Sequence, residues 1–129
     1  MNTKIEHCWL IEGRKLPFGF LGKLRYLGSG QTHEVQFGWS EICDQEDQLG
    51  NVIGFLHTHP NTNARPSQTD LATMNAWVSA FGKSLICGID GVDGLKSFLF
   101  SPNEAEPTPV ECIRIEQRFM TSNPNYQEE

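Results

Sequence analysis

The run VIGFLH, from Val52 to His57, constrains the fold most, because it is apolar on both faces. Such a run is typical of a central strand that is buried in a sheet. Pro60 ends the strand, and a helix is predicted over Ser67–Phe81, where apolar residues recur at helical spacing and Gly82 follows as a stop signal. The chain therefore contains a buried strand and, after a short polar loop, a helix that packs back on the sheet.

Further strands are predicted before and after this unit. They cover Ile5–Glu12, Phe18–Leu27 and His33–Ile42 on one side, and a hairpin of Leu85–Ile89 and Leu95–Phe100 on the other. The segment GRKLP is predicted to interrupt the first strand, GSGQ to form a turn, and DQEDQLGN to form an exposed loop, while Val110–Phe119 fits a strand or a short helix. We therefore expect an α+β fold with a mixed, mostly antiparallel sheet and one main helix at about residues 67–81. The domain is expected to span residues 1–121, before a polar tail at 122–129.

Charge and composition exclude several function classes. Ten basic against 16 acidic residues give a net charge of −6, which argues against a nucleic-acid binder or an anionic-membrane binder. No segment approaches the roughly 20 apolar residues of a membrane span, and Met1–Lys15 lacks the apolar core of a signal peptide. The chain is therefore expected to be cytoplasmic. Its cysteines, which have no CxxC spacing, are expected to be free, mostly buried thiols: Cys8, Cys43, Cys87 and Cys112.

Two histidines stand one residue apart where the buried strand ends. Residues i and i+2 of a strand point to the same side, so His57 and His59 aim two imidazoles at one point. A single His-x-His pair is by itself compatible with two solvated side chains at a strand end. The pair is also a suitable arrangement for two ligands of one zinc ion.

Asp70 supports the metal interpretation. Ser67 and Asp70 have the spacing of a helix cap, and a cap alone would explain both residues. However, Asp70 precedes Met74 and Trp77 at helical spacing, so it borders the face that packs on the sheet. A carboxylate there needs a partner, because an unpaired buried charge is very unfavourable. Two histidines and one aspartate would leave a fourth zinc position for water, which is the catalytic pattern.

The sequence His57-Thr58-His59-Pro60, then six residues, then Ser67-x-x-Asp70 resembles the JAMM motif of the MPN+ (Mov34/Pad1, JAB) metallopeptidases. The segment GFLHTHP also resembles the strand that carries the histidines in this family. The short chain is most similar to the prokaryotic JAB type.

The resemblance implies a mechanism and a class of substrate. His57, His59 and Asp70 would bind one zinc ion per chain, and Ser67 would help to hold the oxyanion of the tetrahedral intermediate. An upstream glutamate would be the general base. The first choice for it is Glu12, which precedes a strand resembling the family's Gly-x-Leu-x-Gly strand, followed in order by Glu34, Glu6 and Glu41. The substrate would be an isopeptide or peptide bond after the tail of a ubiquitin-like protein.

The motif leaves two further functions open. A non-catalytic MPN-like binding or scaffold module would keep the fold without turnover. A JAB peptidase could also act on a sulfur-carrier protein, a phage protein or another peptide. The sequence leaves the oligomeric state open as well.

Overall fold

The computed structural model describes residues 5–17, 19–30, 39–110 and 113–115. Within them, strands β1 (Glu6–Leu16) and β2 (Gly19–Gly30) precede helix α1 (Trp39–Leu49) and strand β3 (Val52–Thr58). Helix α2 (Gln68–Phe81) is followed by β4 (Leu85–Gly91), β5 (Gly94–Phe100), β6 (Thr108–Val110) and β7 (Ile113–Ile115). None of the helices in this part of the chain is long and apolar enough to cross a membrane.

The strands form one seven-stranded sheet with the order β6-β5-β4-β3-β1-β2-β7. β3 lies at its centre, antiparallel to β1 and parallel to β4, with α2 as the crossover between β3 and β4. The pairs β2–β7 and β3–β4 are parallel, and the other four pairs are antiparallel. The predicted α+β class, with a mixed, mostly antiparallel sheet, is therefore confirmed, as is the central position of the VIGFLH strand.

The main core lies between the sheet and the two helices. Trp77 of α2 is fully buried and packs against Phe55 of β3, with ring centroids 5.1 Å apart and the ring planes tilted by 41°. Ile42 of α1 is buried in the same cluster. A smaller cluster on the other face of the sheet is formed by Ile11, Leu24, Ile53 and Ile86. The main core fixes α2, and with it Asp70, against the end of β3.

The prediction of a strand at His33–Ile42 is wrong from Trp39 onward, and the prediction of a loop at DQEDQLGN is wrong through Leu49. Both stretches belong to helix α1, so the described residues contain two helices rather than one main helix. The apolar–polar alternation that predicted the strand ends at Trp39, where helix-forming glutamate, glutamine and leucine residues begin. Residues 31–38 lie outside the described part of the chain.

The predicted interruption at GRKLP is also wrong, because β1 continues to Leu16 and pairs with β2 along its whole length. Gly13 makes this pairing possible, since a Cβ atom there would lie 2.0 Å from the carbonyl oxygen of Leu21. Residues Gly28–Gly30, predicted as a turn, are the end of β2. The hairpin of β4 and β5 and the helix at α2 are confirmed, and the 122–129 tail lies outside the described residues.

Candidate metal centre

The two histidines converge because of where they stand on β3. His57 occupies the end of the strand opposite Cys8 of β1 and Ile89 of β4, and His59 follows directly after the strand. Their Nε2 atoms are 3.2 Å apart, with the two rings inclined at 61°. The backbone N–H of His59 donates to the carbonyl oxygen of Asp90 (2.9 Å), which fixes this residue against β4. Two imidazole nitrogens therefore point at one position, as the alternating pattern predicts.

Asp70 reaches the same position from the first turn of α2. Ser67 is the N-cap, and a complete capping box joins it to Asp70: the Asp70 N–H donates to Ser67 Oγ (3.0 Å), and the Ser67 N–H donates to Asp70 Oδ2 (2.9 Å). Asp70 Oδ1 lies 3.1 Å from His57 Nε2, and Oδ2 lies 3.1 Å from His59 Nε2. One carboxylate thus completes the capping box and also lies where it could bind a metal ion together with the two histidines.

The geometry of these three residues fits a tetrahedral metal ion. Ligand atoms at roughly 2.0–2.1 Å from a zinc ion are separated from one another by about 3.3 Å, close to the spacings in this triad. The side chains of His57, His59 and Asp70 bring their ligand atoms within 4.8 Å of one another. His57 and Asp70 keep 14% and 15% of their side-chain surface exposed, so the site opens to solvent on one side. A fourth ligand such as water or a carbonyl oxygen has access.

The hydrogen bond of His59 to the backbone supports a cation in the same place. Its Nδ1 lies 3.2 Å from the carbonyl oxygen of Asn63, which can only accept, so a proton on Nδ1 is satisfied there and leaves Nε2 available to a metal ion. Nε2 of His59 then presents a lone pair toward Asp70 Oδ2 and His57 Nε2. In that tautomer the His59 Nε2 lone pair and the negative Asp70 Oδ2 repel each other at 3.1 Å, and a shared cation removes this repulsion. A backbone carbonyl of this kind is the usual outer partner of a metal-bound histidine.

The carboxylate of Asp70 is held in its charged form. Burial opposes ionisation, but the hydrogen bond and charge of His57, the Ser67 N–H and the charge of His59 together outweigh it. The pKa of Asp70 is therefore below its ordinary value. An ionised carboxylate between two imidazoles is the protonation state that a divalent cation requires.

Glu6 is the acidic residue that the fold brings to the triad. It is the first residue of β1, on the same face as Cys8, which pairs with His57, and the strand register continued by two residues places it beside His59. Only 7% of its surface is exposed. Burial raises the pKa of the Glu6 carboxyl above its ordinary value and Asp70 adds to the rise, while His57 and His59 act in the opposite direction. A carboxyl whose pKa is raised by burial is suited to general acid–base work.

Glu12, the first choice for the base in the sequence, is not brought to the triad. It lies at the other end of the β1–β3 pairing, opposite Val52, where its Oε2 accepts from Arg25 Nε (2.7 Å) and Gln45 Nε2 (2.9 Å). The reason is the register of the antiparallel β1–β3 pair, which sets Cys8 opposite His57 and so leaves Glu12 several residues away from the histidines. The remaining candidates do not take its place: Glu41 is exposed in the first turn of α1, and Glu34 lies outside the described residues.

A signal for Glu6 is present in the sequence. Within the strand IEHCWLIE, Glu6 shares its face with Cys8 and Leu10, both of which are buried in the core. A carboxylate on the apolar face at the end of a buried strand is unusual unless it has a function. The alternation of side-chain direction along β1 therefore distinguishes Glu6 from an ordinary exposed acid. The spacing to the glycine-rich strand, by contrast, favours Glu12.

Cys8 and Cys87 flank the site on the two strands beside β3, and both are buried free thiols. Burial, with the negative charges of Glu6 and Asp70, raises the pKa of the Cys8 thiol, and burial is also the main reason for the raised pKa of Cys87. Both therefore remain protonated and act as packing residues rather than nucleophiles. Cys43 is also free, and Cys112 lies outside the described residues.

Replacing Ser67 with alanine is expected to lower the free energy of unfolding by about 1 kcal/mol, the usual loss for a Ser N-cap. The Ser67 hydroxyl satisfies the Asp70 N–H, and that bond is lost in the variant. Denaturant unfolding of the metal-free protein measures the change. Thr69→Ala, an exposed position two residues further along the chain, is the control and should leave stability within about 0.5 kcal/mol of wild type. Equal stability of Ser67→Ala and wild type would contradict the capping role.

Most of the chain is similar to a known protein family. Residues 26–115 match the family model described as prokaryotic homologs of the JAB domain. No curated protein matches the chain. Among solved structures, the solution structure of protein DSY2949 from Desulfitobacterium hafniense is similar, with 23% sequence identity and a TM-score of 0.52, covering 86% of this chain and 78% of that one. At that identity, the similarity shows the fold alone. The family match covers more than half of the chain, so this protein belongs to the prokaryotic JAB-domain family.

Proposed function

We propose that this protein is a zinc-dependent hydrolase that cleaves an isopeptide or peptide bond at the C-terminal tail of a ubiquitin-like protein. The convergence of His57, His59 and Asp70 within 3.2 Å, with the buried Glu6 beside them, is the observation that carries the proposal. Membership in the JAB-domain family supports the same chemistry. The fold alone would be compatible with a binding module, but such a module has no need of a buried carboxylate next to three metal ligands.

In the proposed mechanism, His57, His59 and Asp70 hold zinc. Zinc bound there would supply Lewis-acid chemistry, by polarising the substrate carbonyl and lowering the pKa of water. Glu6 accepts a proton from the attacking water and delivers it to the leaving amine, for which its raised pKa is suited. Ser67, whose Oγ accepts the Asp70 N–H, still has its hydroxyl proton to donate to the developing oxyanion.

An open groove next to the centre supports an extended peptide as substrate. It has a volume of about 790 Å³ and lies between the loop that leads to Ser67 and the strands β5 and β6, with Arg65, Pro66, Leu95 and Phe98 among its lining residues. β6 pairs with β5 only at Ser97–Leu99, so in the described residues the start of β5 offers free backbone groups on that side. A flexible tail can add to such an edge through main-chain hydrogen bonds.

Removal of the metal is expected to abolish cleavage. The purified protein should contain one zinc per chain by elemental analysis and should release the C-terminal extension of a ubiquitin-like fusion. Dialysis against a chelator should remove the zinc and abolish cleavage, and one equivalent of zinc should restore the zinc content and the cleavage. Cleavage that survives complete metal removal would contradict the proposal. A fully metallated protein without cleavage of ubiquitin-like fusions or of peptides would favour a binding module.

A further inference from the structure

The loop between the second histidine and helix α2 is attached to the tip of the β4–β5 hairpin. Three hydrogen bonds join them: His59 N–H to the Asp90 carbonyl (2.9 Å), Val92 N–H to the Thr62 carbonyl (2.9 Å), and Ala64 N–H to Asp93 Oδ1 (2.7 Å). The third of these is made by a side chain, and it is the shortest. The hairpin tip therefore acts as a support for the segment that joins His59 to Asp70.

Close packing at Gly91 strengthens this attachment. A Cβ atom at Gly91 would lie 2.4 Å from the backbone nitrogen of Ala64, so only glycine allows the loop to approach this closely. The side chain of Ala64 is 2% exposed and belongs to the main core. The loop therefore packs on the main core through Ala64 and is hydrogen-bonded to the tip of the hairpin.

The carboxylate of Asp93 is held in place as a hydrogen-bond acceptor by an ion pair. Its Oδ2 is paired with Lys96 Nζ at 2.9 Å, which leaves Oδ1 directed at the Ala64 N–H. Lys96 first, and then the Ala64 N–H, keep the pKa of Asp93 below its ordinary value, so the carboxylate is charged at neutral pH. A hydrogen bond to a charged acceptor is stronger than one between neutral groups.

The peptide unit that Asp93 holds is the one that orients His59. The Ala64 N–H and the Asn63 carbonyl belong to the same planar, trans peptide group, so fixing the N–H fixes the direction of the carbonyl. That carbonyl oxygen lies 3.2 Å from His59 Nδ1. A rotation of this peptide would remove the acceptor that keeps the His59 proton on Nδ1 and its lone pair on Nε2.

We propose that Asp93 is a positioning residue for His59, acting through the Asn63–Ala64 peptide group. Asp93 does not contact the metal position. It sets the tautomer and ring orientation with which His59 meets a metal ion. As far as metal binding is concerned, this inference rests on the proposed function.

The test compares Asp93→Ala with Asp93→Asn in the full chain. Asp93→Ala removes the acceptor and should weaken zinc binding by about 10-fold, the lower end of the range for outer partners of metal ligands. It should also change the visible absorption spectrum of the cobalt(II)-substituted protein, because a reoriented imidazole alters the ligand field. Asp93→Asn keeps an oxygen acceptor for the Ala64 N–H and should restore both properties. Gly91→Ala, which displaces the loop by contact alone, should resemble Asp93→Ala.

Lys96→Met is the matched control, because it removes the ion pair of Asp93 but not the bond to Ala64, and zinc affinity should stay within about two-fold of wild type. The His59 tautomer, measured by nitrogen-15 NMR on the metal-free protein at pH 8, tests the attachment without any metal. The fraction of the Nδ1–H tautomer should be higher in wild type than in Asp93→Ala, because only wild type holds the Asn63 carbonyl against Nδ1. Wild-type tautomer and zinc affinity in Asp93→Ala would overturn the inference while leaving the proposed function intact. Failure of wild type to bind zinc or cobalt would overturn both.

Discussion

Glu6→Gln is expected to lose turnover while retaining its metal. Glutamine has nearly the same shape as glutamate but cannot accept a proton, so kcat should fall by about 10²–10⁴-fold, the contribution typical of a general base. Zinc content should remain one per chain, since none of the three ligands is changed. Stopped assays on a ubiquitin-like fusion, with elemental analysis of the same samples, separate the two effects.

Glu12→Gln is the matched control, because it makes the same chemical change on the same strand. Glu12 is hydrogen-bonded to Arg25 and Gln45 at the far end of the β1–β3 pairing, so turnover should stay close to wild type. If Glu12→Gln lost turnover and Glu6→Gln kept it, the base would be Glu12, as the spacing in the sequence indicates. A Glu6→Gln enzyme with more than roughly a tenth of wild-type kcat would exclude Glu6 as the base.

The same substitution has a second expected effect, on stability. The pKa of Glu6 in the folded protein is above its unfolded value, because burial disfavours the charged form. Ionised Glu6 therefore destabilises the metal-free protein at pH values above that folded pKa, and this cost disappears as the pH falls below the unfolded pKa. Glu6→Gln should be more stable than wild type at neutral pH, with a difference that shrinks toward acidic pH in denaturant titrations. The burial that raises the pKa of Glu6 therefore also lowers the stability of the metal-free folded protein at neutral pH.

Asp70→Asn is expected to abolish stoichiometric metal binding and turnover together. The asparagine oxygen can still accept the Ser67 N–H and complete the capping box, so helix α2 should remain. The anion between His57 and His59 is lost, however, and a neutral amide is a poor ligand for zinc, which takes nitrogen, thiolate and carboxylate ligands. Elemental analysis of protein purified without added metal, with circular dichroism for the fold, gives the result.

Ser67→Ala is the complementary variant for this experiment, since it should change the helix cap and not the metal ligands. It weakens the cap but leaves all three ligands, so it should retain zinc despite lower stability. His59→Ala should lose zinc as Asp70→Asn does. Full zinc occupancy in Asp70→Asn would show that the aspartate serves the helix rather than the metal, and the capping box alone would then explain its place in the sequence.

The convergence of His57, His59 and Asp70 could be predicted from the sequence because their placement is local. Strand alternation aligns His57 with His59, and a capped helix that starts shortly afterwards returns Asp70 to the same end of the sheet. These relations depend on a few residues and on turn chemistry, which short patterns encode well. The fold class followed from the same unit, since a buried central strand with a helical crossover leaves few arrangements for its neighbours.

The positions of Glu6, the proposed base, and of helix α1 depend on relations that are not local. Glu6 meets the triad only because β1 pairs with β3 in a particular register, and that register follows from tertiary packing rather than from residues near Glu6. The long β1–β2 hairpin overrides the weak strand propensity of GRKLP. Helix α1 contributes few buried apolar residues, among them Ile42. The apolar periodicity that would predict this helix is therefore weak, because most of its residues are acidic or polar.

The distribution of the site along the chain separates metal binding from catalysis. His57, His59 and Asp70 belong to one strand–loop–helix segment, so a metal ion closes only a short loop and requires little loss of chain entropy. Glu6 arrives from the far end of the chain and needs β1 to be docked. Because Glu6 is the first residue of β1, fraying of that end would remove the proposed base while leaving the segment that could hold the metal. Under the proposed function, metal content and turnover are therefore separately measurable, and the attachment of the first residues of β1 connects them.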